Sequence, residues 1–455
     1  MSAPPPKRGR PELPPGPYLV VGLARSGQAA ARMLAARGEE VVGVDSGHPR
    51  GAAGLRDVGV EVVLDADGLA LLEGARTVVK SPGVPREAAV IAAALERGTE
   101  VVGELELAWR AIPNRFLAVT GTNGKTTVVE WLGHVYRTAG EPVAVAGNVG
   151  TPLSSLAGEA DPGATVVCEA SSFQLEDSVA FAPECAVFLN LAPDHLDRHA
   201  DLDSYLQAKL RIFANQGNDD VAVYNADDPA LAGVDLGGCA RRVAFCHGAG
   251  PDCEVALAGG TIFHGGEPLL ATRELGLLGE HNVANAMAVA AAALAMGVDP
   301  DAVREGLRSF AGVPHRLELV AERGGVRFVD DSKATNVASA IVGLRAFDGG
   351  VHAILGGSEK GEEYAPLLAP VRERCTACYL AGASAERIAE ALAPAIEAGV
   401  ALHRCDDLAD AVDRAAAAAR PGETVLLSPA CASFDAFENF ERRGERFREL
   451  VEALA

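Results

Sequence analysis

The chain has 455 residues, 49% of them hydrophobic and 22% charged, and a formal net charge of −22. That length is too great for a single core and predicts two to four domains of a globular protein. The acidic balance excludes nucleic acid or an anionic membrane as the main partner, while leaving room for phosphates bound locally by loops, lysines and Mg²⁺.

Residues 1–17 are proline-rich, carry Lys7, Arg8 and Arg10, and lack the apolar segment of a secretory signal; we expect a disordered tail there. Tyr18 to Gly22 reads as a strand, Gln28 to Arg37 as a helix and Glu40 to Asp45 as a second strand. Between the first strand and the helix lies Gly22-Leu-Ala-Arg-Ser-Gly27, a partial dinucleotide fingerprint. Ala24 stands where a glycine normally lets the backbone approach a pyrophosphate, and Asp45 has about the spacing of a ribose-binding acid. Either a diphosphate nucleotide binds here in its own pose or the turn is structural. Ser81-Pro-Gly83 is a turn after the strand Thr77 to Val79. A helix around Ala88 to Arg97 and a strand Glu100 to Val102 close this region, with a boundary near residue 103.

The next strand runs through Leu117-Ala-Val119 into Thr120, Gly121, Thr122, Asn123, Gly124, Lys125, Thr126 and Thr127, followed by a helix to Thr138. Strand, glycine turn and helix N-terminus form a phosphate cradle: glycines admit backbone N–H groups to the anion, and the helix dipole favours negative charge. Lys125 supplies a charge for the outer phosphates and the Thr126 hydroxyl suits Mg²⁺. The loop is shorter than the general pattern, because Val119 stands where its first glycine belongs. ATP handling is the first expectation.

Further strands are expected at Thr165 to Glu169, Ala186 to Asn190 and Val221 to Tyr224, then a helix Asn282 to Met296. The run Phe310-Ala-Gly-Val-Pro-His-Arg316 suits a domain connection. The last region alternates strand Val326 to Asp330, helix 336–346, strand Val351 to Gly356, helix 385–397, strand Thr424 to Leu427 and a terminal helix from about 436. The fold class is α/β in three domains: a Rossmann-like domain over 18–103, a central P-loop ATPase-like domain over 104–312 and a Rossmann-like domain over 313–455, each with a largely parallel, helix-covered sheet. Acids and cations at the carboxyl ends of such strands face the ligand edge. They include Glu169, a candidate Mg²⁺ ligand, and Asp194-His195. In the last region they are the turns Asp330-Asp-Ser-Lys-Ala-Thr-Asn336, Leu-Gly-Gly357 with Lys360, and Ser428-Pro-Ala-Cys-Ala-Ser-Phe-Asp435, a grouping that suits a small anionic amino acid. On its own, Lys209 reads as a solvated lysine on a helix. The nine cysteines have no framework spacing and suit a reducing cytosol. Cys375-x-x-Cys378 reads as the start of a buried strand. No apolar run is long enough to span a bilayer; the alanine-rich stretch 284–296 reads as a packed helix.

In order, Thr-Gly-Thr-Asn-Gly-Lys-Thr, Glu-Ala-Ser-Ser-Phe-Gln-Leu-Glu, Asp-His-Leu-Asp-Arg-His, Ala-Lys-Leu-Arg, Gly-Glu-His-Asn-Val-Ala-Asn, Pro-His-Arg, Asp-Ser-Lys-Ala-Thr-Asn and Ser-Pro-Ala-Cys-Ala-Ser-Phe-Asp occur along the chain. This series strongly resembles the Mur ligases, over nearly the whole length after residue 17. Lys-Ala-Thr-Asn and the Ser-Pro-Ala-Cys-Ala-Ser segment followed by Asn439-Phe-Glu-Arg-Arg-Gly favour the branch that adds D-glutamate to UDP-N-acetylmuramoyl-L-alanine. The resemblance implies ATP and two Mg²⁺ sites, and a cytoplasmic monomer in peptidoglycan precursor synthesis. It implies Lys125, His195 and Lys209 as catalytic, and Thr126, Glu169, His195 and a carbamylated Lys209 around Mg²⁺. Gly121 to Thr127, Asn282, Arg316, Asp331 and Lys333 would serve the nucleotide. Ser26, Gly27, Asp45, Ser46, Gly83 and Asn148 would contact the UDP-sugar, and Thr335, Lys360, Ser433 and the backbone at Phe440 the D-glutamate carboxylates. Ser358 departs from the aspartate often found there, and Phe434 replaces a commoner leucine, which looks like a packing change. Alternatives are a sibling ligase adding another amino acid or a folylpolyglutamate synthetase. An NAD-dependent dehydrogenase is disfavoured by Ala24, and a GTP switch by the absence of Asn-Lys-x-Asp.

Overall fold

A computed structural model describes residues 9–148, 150–192, 198–248, 253–277, 279–359 and 363–454, the side chain of Ala338 excepted. The first sheet contains β1 (Tyr18–Val21), β2 (Val41–Asp45), β3 (Glu61–Leu64), β4 (Thr77–Lys80) and β5 (Glu100–Gly103), in the order β3-β2-β1-β4-β5. Every pairing is parallel. All four residues of β1 and of β4 are buried, as expected of strands covered on both faces. The chain leaves β1 first towards β2 and β3 and later towards β4 and β5. The crevice at their carboxyl ends is therefore a topological switch point, where the turns after β1 and β4 meet.

The second sheet has nine strands: β6 (Arg115–Thr120), β7 (Val143–Gly147), β8 (Thr165–Glu169), β9 (Cys185–Phe188), β10 (Val221–Asn225), β11 (Arg241–His247), β12 (Val255–Ala258), β13 (Thr261–His264) and β14 (Glu267–Ala271). Their order is β14-β13-β12-β11-β10-β9-β6-β8-β7. β6 lies between β8 and β9, so the glycine loop that follows it opens at this sheet's own switch point, flanked by the ends of both neighbours. The third sheet holds β15 (Glu318–Arg323), β16 (Val326–Asp330), β17 (Val351–Leu355), β18 (Cys375–Leu380), β19 (Ala401–Arg404) and β20 (Thr424–Leu427), ordered β15-β16-β20-β17-β18-β19.

The last two sheets are not parallel throughout. β12, β13 and β14 form an antiparallel meander, and β15 pairs antiparallel with β16. Each hairpin turns on a glycine pair with positive φ at both residues: Gly259-Gly260, Gly265-Gly266 and Gly324-Gly325. Two consecutive left-handed residues match the twist of a two-residue hairpin, and side chains adopt that conformation at a cost glycine avoids. The helix Ala385–Leu392 stops short of the expected end because Pro394 follows, and the chain continues as a 3₁₀ turn, Ala393–Ala398. The last helix begins later than expected, at Phe440–Ala453, where the Asn439 side chain caps it by accepting from Arg442 N.

Residues 9–17, part of the expected disordered tail, are held in place. Arg10 Nη1 donates to Trp109 O (2.9 Å), Nη2 donates to Asn114 O (2.6 Å) and lies 3.3 Å from Glu184 Oε1, and its guanidinium stacks over Trp109 and Phe116. Composition missed this because the partners are distant in the chain: besides the Arg10 contacts, Pro15 O accepts from Thr77 Oγ1 (2.9 Å) and Pro17 O from Arg76 N (2.9 Å). Cys246 and Cys253, expected as free thiols, are joined as a disulfide beside β11 and β12. Cys375 and Cys378 begin β18, as read from the sequence. Residues up to Phe310 form one compact unit, which contains the first two sheets, and Ala311–Ala455 forms another. Among the described residues no helix is long and apolar enough to cross a membrane.

Candidate active site

The glycine loop is assembled from the ends of three strands. After β6 the chain passes Gly121 (φ 151°) and Gly124 (φ 84°) and enters the helix Lys125–Thr138, whose N-terminus no side chain caps. Its first N–H groups and its dipole therefore face outward as an anion site. A Cβ at Gly124 would lie 2.5 Å from Asn285 Oδ1, so the position has both a conformational and a packing reason to be glycine. From the end of β9, Asn190 clasps the loop: its Oδ1 accepts from Asn123 N (2.8 Å), its Nδ2 donates to Asn123 O (3.1 Å), and its carbonyl accepts from Thr122 N (2.9 Å).

From the end of β8, Glu169 is almost fully buried. Its Oε2 accepts from Thr126 Oγ1 at 2.7 Å and its Oε1 from Asn148 Nδ2 at 2.9 Å. Asn148, assigned by resemblance to the UDP-sugar, is thus a partner of the candidate Mg²⁺ ligand. Hydroxyl and carboxylate oxygens are the donors that Mg²⁺ prefers, so this pair fits the ion. Thr127 is buried on the same helix. Asn282, on the helix Glu280–Ala295, accepts from Asn285 Nδ2 at 3.2 Å, which links it to the residue packed over Gly124.

Lys209 is not the solvated lysine that its helix suggested. It is 1% exposed, its Nζ donates to Gly121 O at 2.8 Å, and it lies 4.5 Å from the centre of the Tyr205 ring. Lys125 Nζ donates to the same carbonyl at 2.8 Å and to Thr122 O at 2.9 Å. Two ammonium groups therefore share one oxygen under the glycine loop. Like charges held this close disfavour one another, and an anion or the loss of one charge relieves them. His195 lies outside the described residues, as does Lys360.

At the edge of the first sheet, Asp45 is held by backbone N–H groups. Its Oδ2 accepts from Leu23 N (2.6 Å) and its Oδ1 from Gly47 N (2.9 Å), so it shapes the turn after β1. Gly27 lets the helix Arg25–Ala36 approach that turn, since a Cβ there would lie 1.8 Å from Gly22 O and 2.6 Å from Ser81 Oγ. Ser26, Ser46 and Gly83 follow β1, β2 and β4 and occupy the same edge.

In the third sheet, the turn after β16 is tied into its own domain. Asp330 is buried; its Oδ2 lies 2.7 Å from His315 Nδ1 and its Oδ1 accepts from Ser332 N (2.8 Å). Asp331 Oδ2 accepts from Ser428 Oγ (2.7 Å), and its Oδ1 accepts from Leu317 N (3.3 Å). Burial pushes the Asp331 carboxyl up to about 7, against the opposing pull of Ser428 and the Arg316 guanidinium. The hydrogen bond that the imidazole makes to the Asp330 carboxylate raises His315. Gly343 and Gly444 make room for these groups: a Cβ at Gly343 would lie 2.4 Å from Asp331 Oδ2, and one at Gly444 2.1 Å from His315 Nδ1. Arg443 threads the turns after β16 and β20 together, donating to Ser332 O and Cys431 O at 3.0 Å each, and burial lowers it to about 10. Thr335 N donates to Lys333 O, and Lys333 Nζ lies 5.9 Å from the centre of the Phe440 ring. Phe440 O accepts from Ser332 Oγ, and Ser433 is buried beside the same turn. Phe434 is 72% exposed, which corrects the expectation of a packing change: the ring packs into no core.

Sequence reasoning missed Asn190, Arg443 and the two approach glycines as site-building residues. An asparagine at a strand end beside a glycine loop was a usable signal; the glycines gave none, because their partners lie far away in the chain.

Comparison with known proteins agrees with this architecture. Residues 17–103 match the Mur ligase MurD-like N-terminal domain, 119–293 the Mur ligase middle domain, and 315–431 the Mur ligase glutamate ligase domain. The chain is 41% identical over 444 residues to the UDP-N-acetylmuramoylalanine--D-glutamate ligase of Pelotomaculum thermopropionicum, covering 96% of this chain and 97% of that protein. The crystal structure of UDP-N-acetylmuramate-alanine ligase MurC from Thermotoga maritima shares the fold, with a TM-score of 0.61 at 20% identity over 96% and 99% of the two chains. E. coli FolC in complex with ADP shares it more narrowly, with a TM-score of 0.56 at 21% identity over 77% of this chain and 92% of that one. An uncapped glycine loop beside a buried hydroxyl–carboxylate pair, three successive domain matches and full-length identity of this order have one reading: the chain belongs to the Mur ligase family of ATP-dependent ligases.

Proposed function

We propose that the chain is a cytoplasmic ligase that joins D-glutamate to UDP-N-acetylmuramoyl-L-alanine at the expense of ATP. The observation that carries this reading is the pairing of Thr126 with Glu169 at the uncapped start of the helix Lys125–Thr138, beside the half-buried Lys125 and the buried Lys209. It is a place to hold a triphosphate and move its last phosphoryl group. The likeness to a full-length D-glutamate ligase supports the choice of substrates.

A free carboxylate is a poor electrophile. In the reading we favour, the terminal carboxylate of the UDP-sugar peptide takes the γ-phosphoryl group and becomes an acyl phosphate. The D-glutamate amine attacks its carbonyl carbon, and the tetrahedral adduct collapses to the amide with loss of phosphate. The protein's part is positioning and charge neutralisation. The loop N–H groups and Lys125 hold the phosphates, Thr126 and Glu169 hold Mg²⁺, and His195 and Lys209 complete its surroundings. Bound Mg²⁺ neutralises charge on the transferring phosphoryl group. Loss of a proton from Lys209, addition of its amine to CO₂ and release of a second proton would give a carbamate, which removes one of the two cations on Gly121 O and would supply an anionic oxygen ligand instead.

In the same reading Ser26, Gly27, Asp45, Ser46, Gly83 and Asn148 line the UDP-sugar. Asn282, Arg316, Asp331 and Lys333 serve the nucleotide, and Thr335, Lys360, Ser433 and Phe440 the D-glutamate. The chain works as a monomer with domains over 18–103, 104–312 and 313–455. The test is ADP release by the purified protein with Mg²⁺: it is expected only when both UDP-N-acetylmuramoyl-L-alanine and D-glutamate are present. Equal turnover with L-alanine or diaminopimelate in place of D-glutamate would sink the assignment.

A further inference from the structure

Lys80 is the last residue of β4 and is fully buried, yet nothing in the chemistry above uses it. Its Nζ lies 2.7 Å from Asp177 Oδ2 and 3.7 Å from Glu176 Oε1, and it donates to Val84 O at 2.9 Å. Asp177 and Glu176 belong to the central region, just past the short helix Ser172–Leu175; Lys80 belongs to the first sheet. The pair therefore ties two sheets together at the ligand edge of the first. Both ends lead directly to candidate binding groups. Ser81, next to Lys80, donates to Gly22 O at 2.6 Å and so closes the turn that carries Ser26 and Gly27. On the other side, one helical turn and the Ser171 capping box separate Asp177 from Glu169, the partner of Thr126. Contact is close: a Cβ at Gly103, the end of β5, would lie 3.2 Å from Asp177 Cβ. Burial pushes the Asp177 carboxyl up, and the ammonium of Lys80 is the leading opposing influence.

We infer that the Lys80–Asp177 pair is a positioning device that sets the reach from the UDP-sugar turns to the phosphate loop. This rests on the function proposed above, in which a carboxylate delivered from the first domain must meet a phosphoryl group held by the second. Such transfer is sensitive to placement, with about 1 Å of error costing on the order of 100-fold in rate. Arg10 fastens residues 9–17, which lead into β1, to Trp109 and Asn114 of the central region, so the junction has a second tie elsewhere.

The experiment uses the full chain and the double variant Lys80→Met/Asp177→Leu. Removing one member of a buried pair leaves an uncompensated charge, whereas replacing both with apolar residues is often neutral for stability. The double variant is expected to melt near the wild type. Its kcat/KM for the UDP-sugar should fall on the order of 10- to 100-fold, with the KM for ATP unchanged. Lys80→Arg should retain most activity. Lys80→Gln/Asp177→Leu also removes both charges, and is read the same way if the first double variant folds poorly. Wild-type kinetics for the UDP-sugar in either folded double variant would overturn the proposal, as would an equal change in the KM for ATP. A wild-type protein that releases no ADP with both substrates would instead overturn the assigned reaction, and leave the structural tie to be read from melting alone.

Discussion

Two strand-end turns of this molecule look alike in sequence and differ in construction. The turn after β6 and the turn after β16 both offer a lysine, hydroxyls and a strand-to-helix step. After β6 the helix is left without a capping side chain, and two lysines meet on the carbonyl of Gly121. After β16 the following helix, Val337–Arg345, is capped by Asn336, and both aspartates are consumed by His315, Ser428 and backbone N–H groups. The first turn keeps its polar groups poised for a ligand. The second holds both carboxylates in hydrogen bonds within its own domain, with Lys333 and Thr335 half-buried beside them. A ligand-binding turn is thus recognised by what the protein fails to satisfy as much as by the residues present.

The contrast predicts a split between activity and stability. Lys125→Met is expected to lower kcat on the order of 100- to 1000-fold, as loss of a preorganised charge on a transferring group does, with little change in melting temperature. A collapse in melting temperature instead would mean that the β6 turn is scaffold too. Lys209→Ala should also lose most activity, and added short carboxylic acids should restore part of it by taking the place of the carbamate. A fully active alanine variant would remove Lys209 from the site. At the β16 turn the order reverses. Asp330→Ala removes the buried contact with His315 and the acceptor for Ser332 N, and is expected to cost about 3 kcal/mol of stability, seen as a melting temperature lower by roughly 6–12 °C. An unchanged melt with lost activity would break the comparison.

The sequence made the central site legible because its chemistry is local. Gly121 to Thr126 carry their own geometry, and Glu169 sits at the end of a strand whose burial is plain from Thr165-Val-Val-Cys. Lys209 was legible only through resemblance, since its helix looks polar and its burial depends on Gly121, far away in the chain. Arg10 defeated the composition argument for a similar reason: its acceptors on Trp109 and Asn114 are some hundred residues distant. The antiparallel additions to the second and third sheets had a local signal that was not used. Three Gly-Gly pairs between short apolar runs mark the three hairpins. Gly343 and Gly444 had none, because the atoms they avoid are fixed only by tertiary packing.

The smallest expected effect per unit of change is a pH dependence at the inward-facing turn. Asp331 has its carboxyl raised to about 7 by burial, from 3.8 when unfolded. Between those values the folded chain holds a proton that the unfolded chain releases, so stability falls as pH rises through that window. His315 acts in the same direction at higher pH. Its raised value means that its contribution is complete below the unfolded 6.5 and is lost as pH rises through the folded value. The contribution of this turn to stability should therefore fall from about pH 4 to pH 7 through Asp331, and further as His315 loses its proton, at up to roughly 1.4 kcal/mol per pH unit for each group. Asp331→Asn keeps an acceptor for Ser428 and removes the titration. It should flatten the slope below about pH 6 and leave the histidine-dependent part above it. A variant with the slope of the wild type would show that the Asp331 carboxylate is already ionised in its pocket, and the β16 turn would then be closer in kind to the β6 turn than its hydrogen bonds suggest.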